Sequence, residues 1–440
     1  MQIGPALRRL WRHEPFRRLL ILRILSQAGD GTLQVGMASY ILFSPQSQPD
    51  AWAIAGVLAI TLMPFTVLGP FVSTLLDRWS RRQVTVISDI IRASLALLIG
   101  FLIASGLTGG GWQVVFYGAL LVAMSVNRFM LAGLSAGLQY TVEPDEYLTS
   151  SSIIPTVGPL GVVIGAVLGF GARVGLGPVL GANRADAVVF WVAAVLFVGS
   201  VMVARGFHRD ALGPEPGQPR STPGEVWRGL GVALRHLRTR PAAELGLASM
   251  FFTRLLFGLF SVAVILAIRN YFNTDPDEAL GDLTLWGLAT GAGFIVCTVV
   301  VPTLARRLGL LRTAILVLGV GMVAQALPVA WPSMWVLFVA SFFIGLAVQS
   351  FKICVDTVVQ AHIDEEYKGR VFVFYDMAFN SAFVLAALIA AVALPVTGLS
   401  TAGFAVMALA YAVLALVFTT MARRIGAATF EKGTEDLTGR

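Results

Sequence analysis

Asp30, Arg128, Arg254, Lys352 and Asp356 stand inside long apolar stretches. An ionised side chain at the centre of a membrane-crossing helix costs about 2.5–3.5 kcal/mol on insertion scales, so it is kept where it faces a cavity or a partner. Asp30 lies about 13 residues into the apolar run 17–43, and Arg254 about 12 residues into the run 243–269. Both positions are close to the middle of a span. A carboxylate at that depth can take up a proton on one side and release it on the other, if its surroundings change between two states. A structural ion pair, or a hydrogen bond that bends the helix, fits the same residue. Lys352 and Asp356 are four apart and share a helix face, which reads as an intrahelical pair near the inner end of the run or as part of a polar cavity. Asp376 and Asn380 repeat that spacing. Arg23 and Arg92 lie nearer the inner ends of their runs and are expected to reach for the interface.

No chemistry beyond charge transfer is indicated. The chain has no HExxH, no phosphate-binding glycine loop with Lys, and no GxSxG, and its four His (13, 208, 236 and 362) are scattered in loops. Cys297 and Cys354 fall in apolar runs with no metal-ligand spacing. The expectation is no metal, no cofactor and no enzymatic activity. Work would come from an ion gradient, where one proton crossing 100 mV yields about 2.3 kcal/mol.

The elements that carry these charges are membrane helices. Of the 440 residues, 56% are hydrophobic and 13% charged, against roughly 25% charged in soluble domains. A span needs about 20 apolar residues. Twelve runs qualify: 17–43, 52–76, 84–105, 113–138, 150–172, 187–204, 243–269, 283–305, 313–331, 333–356, 370–395 and 400–422. The first lacks a small-residue cleavage site and is expected to stay as a helix. With the N-terminus placed inside, the inner segments hold 24 basic residues and the outer loops three, Arg173, Arg184 and Arg269. Both termini are therefore expected to be cytoplasmic. The net charge of +7 is topology charge, and no nucleic-acid partner is expected.

A Pro-rich stretch, Gly213 to Pro219, precedes Val226, Leu230, Ala233, Leu234 and Leu237 at helical spacing with Arg228, Arg235 and Arg238 among them. That is an amphipathic helix lying on the inner surface. It divides the chain into an N-terminal six-helix bundle (1–204), a linker (205–241), a second bundle (242–422) and a tail (423–440). The halves look duplicated. The turn Ser73-Thr-Leu-Leu-Asp77-Arg78-Trp79-Ser80-Arg81-Arg82 has a degenerate copy at Pro302-Thr-Leu-Ala-Arg306-Arg307-Leu308-Gly309, 229 residues on. Glu146-Tyr147 and Glu366-Tyr367 recur at an offset of 220. Internal repeats of this kind mark secondary transporters.

These features resemble the major facilitator superfamily over the whole chain. The family's signature between its second and third helices, Gly-x-Leu-Ala-Asp-Arg-x-Gly-Arg-Arg/Lys, is met by Asp77, Arg78, Arg81 and Arg82, with Ser73 and Ser80 where Gly is usual. The resemblance implies an all-α membrane protein with twelve helices in two pseudo-symmetric six-helix bundles. It implies that the first and seventh helices line a central cavity, which makes Asp30 the candidate proton-coupling carboxylate and Arg254 its counterpart. It implies that Asp77 latches against the N-terminus of the eleventh helix, where unpaired N–H groups favour an anion, with Arg78, Arg81 and Arg82 on nearby carboxylates such as Asp89. These Arg also serve as plain topology charges. Arg306 replaces Asp in the second copy, so a weaker or differently paired contact is expected there. Arg128 matches, one residue out of register, an Arg linked to proton transfer.

Gly158-Pro159-Leu160-Gly161 through Gly165 and Gly169 is similar to the Gly-Pro segment of the family's antiporters. Glycine at every fourth position also lets helices pack closely in lipid. Gly29-Asp30-Gly31 and Tyr367 to Val371 resemble the multidrug and siderophore exporter branch. Phe251, Phe252, Phe257, Phe260, Phe372, Phe374, Phe379 and Phe383 suit an amphiphilic cargo, or simply pack and face lipid. The expectation is a monomeric secondary exporter of an amphiphilic or drug-like small molecule in the cell membrane of a bacterium, with protons as counter-ion and membrane lipids around it. An importer, a lipid or lysophospholipid translocator, and a sensor or scaffold that moves nothing remain open.

Overall fold

The computed structural model describes residues 11–43, 51–67, 79–142, 147–208, 211–213, 223–273 and 275–434, and every regular element in them is helical. Twelve long helices correspond to the twelve apolar runs: α1 Glu14–Phe43, α2 Ala51–Val67, α3 Arg81–Ala104, α4 Gly111–Gly137, α5 Tyr147–Leu180, α6 Ala182–Arg205, α7 Pro241–Ala267, α8 Pro276–Leu308, α9 Leu310–Ala330, α10 Met334–His362, α11 Glu365–Ala393 and α12 Thr401–Ile425. Among the described residues, ten of these are long and apolar enough to cross a membrane by length and composition. The other two are α1, whose apolar run is diluted by Arg23, Gln27 and Asp30, and α2, whose described part is 17 residues long.

The boundaries follow local chemistry. Gly181 and Gly309 adopt φ of +80° and +91°, a region L side chains avoid, and so allow the abrupt turns between α5 and α6 and between α8 and α9. Ser333 and Ser400 cap α10 and α12 by accepting from Val336 N (3.4 Å) and Gly403 N (3.0 Å). Pro241 opens α7, where its missing N–H costs nothing.

One boundary departs from expectation. α5 runs to Leu180, eight residues past the predicted end, so Arg173 is not in an outer loop. It is buried within α5, and its Nε donates to Asp186 Oδ1 on α6 at 2.8 Å. Ser39 Oγ on α1 donates to the same oxygen at 2.7 Å. A paired guanidinium can be carried inside a helix bundle where an unpaired one would be driven to water.

The chain divides into two compact units, Met1–Ser47 with Val67–Val226, and Gln48–Thr66 with Trp227–Arg440. In the first unit α1 packs on α5 and α6, and α3 packs on α4 and α6. In the second, α7 packs on α11 and α12, and α9 on α10 and α12. Each pair recurs six helices later, so the duplication is visible in the packing as well as in the turn motif.

The linker helix Pro223–Arg238 lays Leu230, Ala233 and Leu237 inward and leaves Trp227, Arg228 and Arg235 exposed. It docks at the start of α11. His236 stacks on Tyr367 with ring centroids 4.4 Å apart, and Arg240 Nη2 donates to both oxygens of Asp364 at 2.9 and 3.0 Å. Asp364 is 56% exposed, and exposed pairs of this kind contribute at most about 1 kcal/mol. Asp364→Asn is therefore expected to leave the melting temperature nearly unchanged while speeding tryptic cleavage at Arg228 and Arg235. Unchanged cleavage would mean that the apolar face alone holds the helix.

Candidate functional site

In the first unit, buried charges converge from neighbouring helices. Asp30 comes from α1, Asp89 and Arg92 from α3, and all three are at most 1% exposed. Arg92 Nη2 is ion-paired with Asp30 Oδ1, and Arg92 Nη1 donates to Asp89 Oδ1 at 2.7 Å. Ser26 Oγ on α1 donates to Asp89 Oδ1 at 3.0 Å, and Ser200 Oγ on α6 donates to Asp89 Oδ2 at 2.5 Å. Gln27 Nε2 donates to Asp30 Oδ2 at 3.1 Å. The guanidinium carbon of Arg92 sits 4.0 Å from the Phe197 ring centroid, a cation–π contact in a dry setting.

Two expectations are corrected here. Arg92 does not reach for the interface: it is fully buried, because two carboxylates lie within its reach. Asp89 is not a partner of Arg81 or Arg82: among the described residues its oxygens accept from Arg92, Ser26 and Ser200. Arg23 also stays buried at 9% exposure, with its guanidinium 3.4 Å from where a side chain on Gly158 would begin.

Asp77, Arg78 and Ser73 lie outside the described residues, and so does Glu146. Arg81 and Arg82 are described, at the start of α3, and they serve backbone carbonyls. Arg81 Nη1 donates to Leu212 O at 3.2 Å, and its guanidinium is 5.4 Å from the Tyr140 ring. Arg82 donates to Ala204 O (3.4 Å) and Arg205 O (3.2 Å) at the end of α6. Arg18 Nη1 reaches Gly206 O in the same place. The last carbonyls of a helix lack intrahelical partners and carry partial negative charge, so guanidinium groups satisfy them well.

Arg306 and Arg307 are exposed at the end of α8. The turn after them holds a residue the sequence reading missed. Glu431 Oε1 accepts from Leu311 N at 3.2 Å, at the start of α9, and lies 2.4 Å from where a side chain on Gly309 would begin. Nothing in the local pattern of a tail glutamate announces that contact.

The glycines of α5 face α1. A Cβ on Gly165 would lie 1.8 Å from Ala28 O, and one on Gly31 would lie 2.0 Å from Val162 O. Gly161 meets Gln27 and Ile24 at 2.9–3.0 Å, Gly169 meets Thr32 at 3.3 Å, and Thr32 Oγ1 donates to Gly165 O at 2.8 Å. α5 continues through Pro159 without a break. Asp30 thus sits on a helix whose backbone is pressed against α5 on either side of it.

The second unit carries a different cluster. The guanidinium of Arg254, at the middle of α7, lies 4.3 Å from the ring centroid of Phe379, 4.4 Å from Phe383 and 5.2 Å from Phe257. Its Nε is buried without a hydrogen-bond partner among the described residues. Lys352 Nζ on α10 donates to Asp356 Oδ2 at 2.7 Å and lies 5.1 and 5.8 Å from the rings of Tyr375 and Phe379. Of the other phenylalanines, Phe260 is buried against Phe404 and Phe252 is exposed. Arg128 is half-buried on α4 beside the buried Asn127, and the hydrogen bonds that hold Asp30, Asp89 and Arg92 together do not involve it.

The chain is similar to known transporters. An uncharacterized MFS-type transporter of Mycobacterium tuberculosis is 32% identical over 388 residues, 87% of this chain and 86% of the relative, and one of Mycobacterium bovis matches equally. Among solved structures, the nucleoside transporter NupG superposes with a TM-score of 0.65 at 14% identity, covering 93% of this chain and 99% of that one. A bacterial homologue of the iron transporter ferroportin in an inward-facing state gives 0.64 at 17%, covering 92% and 98%. At such identities these two speak to the fold. The family model for the Major Facilitator Superfamily matches residues 19–387 and, again, 246–436. With a helix bundle that repeats after six helices, matches of this extent place the chain in the Major Facilitator Superfamily.

Proposed function

We propose that this multi-pass secondary transporter exports an amphiphilic small molecule in exchange for protons, by alternating access between its halves, 1–204 and 242–422. The observation that carries the reading is the charge count of the cluster in the first unit. Two carboxylates, Asp30 and Asp89, share one guanidinium, Arg92, at no more than 1% exposure. One negative charge in that cluster is unbalanced, and a buried unbalanced charge is costly. A proton balances it. Asp89 already accepts from Arg92, Ser26 and Ser200, whereas Asp30 accepts from Arg92 and Gln27 alone. Asp30 is therefore the group that takes up the proton, and its release frees Asp30 to hold Arg92.

Export rather than import is supported by the Gly158–Gly169 segment and the residues around Asp30, which resemble the antiporter and exporter patterns of the family. The close α1–α5 packing gives that segment a structural use as well. The turn at Asp77, the position of Arg128 and the pair Lys352–Asp356 enter the cycle as a gate and as cavity polarity.

The test is flux in proteoliposomes under an imposed pH gradient, with a panel of cationic, neutral and anionic dyes. A gradient with the lumen acidic should drive accumulation of at least one dye through inside-out molecules. Asp30→Asn should reduce the driven component at least tenfold, toward the rate without a gradient, and leave gradient-free exchange in place. Exchange is spared because the substitution still leaves Arg92 paired with Asp89. Gradient-driven flux that is equal in wild type and Asp30→Asn would remove Asp30 from the coupling.

A further inference from the structure

Arg254 and Lys352 are the cations of the cluster in the second unit. Asp356 Oδ2 accepts from Lys352 at 2.7 Å while its buried Oδ1 has no hydrogen-bond partner among the described residues, and Asp376 lies exposed beside Tyr375. Arg254 has no carboxylate partner among the described residues, so it is the cation left for a ligand. Arg254 is a guanidinium at the middle of a membrane helix with aromatic faces around it. Cation–π contacts offset part of the loss of water. They do not supply acceptors to the N–H edge of the guanidinium, and its buried Nε has none among the described residues.

The cluster is partly exposed, with Arg254 itself half-buried. Lys352 and Asp356, ten and six residues before the end of α10, keep 25% and 27% of their side-chain exposure. A charged pair exposed at that depth faces water, because facing lipid would be far costlier. Phe257, Phe379 and Phe383 supply flat apolar surface next to the guanidinium. They are buried or half-buried, and Phe257 and Phe383 meet at a centroid distance of 5.8 Å.

We infer that the second unit binds the anionic group of its cargo at Arg254, with Lys352 alongside, and holds the cargo's aromatic or acyl body against Phe257, Phe379 and Phe383. The ligand class is an amphiphilic organic anion carrying a sulfonate, carboxylate or phosphate. Such an anion accepts from the guanidinium edge in the two-bond geometry that Arg favours. This deepens the transport reading and rests on it for the word cargo, but the binding site itself stands on the geometry of α7, α10 and α11.

The experiment is equilibrium binding to the full chain in lipid nanodiscs, with no gradient. The probes are 1-pyrenesulfonate, neutral 1-pyrenemethanol and the cation 1-pyrenemethyltrimethylammonium, which share one aromatic body. Wild type should bind the sulfonate at least about tenfold tighter than the cation. Arg254→Gln should lose that preference, and Arg254→Lys should keep most of it. Arg254→Gln should also melt no lower than wild type, because the substitution removes a buried charge from an aromatic setting. That keeps loss of binding distinct from loss of fold. A cation bound as tightly as the sulfonate, or a sulfonate preference that survives Arg254→Gln, overturns the inference.

Failure here is separable from failure of proton exchange. Charge-selective binding with no gradient-driven flux would sink the coupling through Asp30 and leave this site standing. Asp30-dependent flux of the cation, indifferent to Arg254→Gln, would sink this site alone.

Discussion

Arg92→Met is expected to destabilise the protein by about 3–5 kcal/mol, the usual cost of removing one partner from a buried ion cluster. Arg92 is fully buried and holds Asp30 and Asp89 together, so its loss leaves two carboxylates at no more than 1% exposure. Asp89 keeps the hydroxyls of Ser26 and Ser200, and Asp30 keeps only the Gln27 amide. The larger share of the penalty therefore falls on Asp30. The signature is in the combination: Arg92→Met with Asp30→Asn and Asp89→Asn removes every charge and should recover most of the loss. Thermal unfolding of the purified protein in one detergent, followed by tryptophan emission, gives the order. The single Met variant should melt lowest, and the triple variant should approach wild type. A triple variant as unstable as the single one would show that Arg92 is held for its packing on Phe197 and not for charge.

The same cluster shows how far sequence reading reaches. Hydropathy starts the third run at residue 84, which puts Arg92 about nine residues in, near the inner end. The helix starts at Arg81, where Arg81 and Arg82 bond to carbonyls at and beyond the end of α6, so Arg92 is the twelfth of 24 residues. Its partner Asp30 is 62 residues away and Ser200 lies 111 residues from Asp89. A linear pattern cannot state such a pairing. Asp30 and Arg254 were legible because depth alone makes a charge conspicuous in an apolar run. Twelve spans and their duplication were legible because hydropathy and repeat spacing are local. The cage around Arg254 was half legible: Phe379 and Phe383 were visible as an aromatic cluster, but their meeting with α7 depends on packing. Glu431 was illegible, since its contact depends on where a tail falls.

Gly165→Ala is expected to be the most damaging glycine-to-alanine change among the described residues. The new Cβ would stand 1.8 Å from Ala28 O, which is backbone and cannot rotate away. α1 and α5 must then separate, breaking the 2.8 Å bond from Thr32 Oγ1 to Gly165 O and loosening packing along the contact. Forcing a methyl into a packed interface costs about 1–3 kcal/mol and sometimes more. A lost hydrogen bond adds about 1 kcal/mol. The neighbouring glycines supply an internal scale. Gly31→Ala, at 2.0 Å from Val162 O, should come close to Gly165→Ala. Gly161→Ala, at 2.9 Å from Gln27 Cβ and 3.0 Å from Ile24 O, should be milder because the overlap is about 1 Å smaller, and Gly169→Ala, at 3.3 Å, milder still.

Gly175→Ala meets nothing within 4 Å and should stabilise slightly, because Gly is the weaker helix former by about 1 kcal/mol. The rank order of melting temperatures reads the packing directly. The same variants separate the two meanings of the stripe. If proton-driven flux falls in proportion to stability, the glycines serve packing. If Gly169→Ala keeps wild-type stability and loses flux, the α1–α5 contact must slide during the cycle, and Asp30, carried on α1, moves with it. A small separation of α1 from α5 would then alter the surroundings of the Asp30–Arg92 pair, which is the change a proton-coupled carboxylate needs.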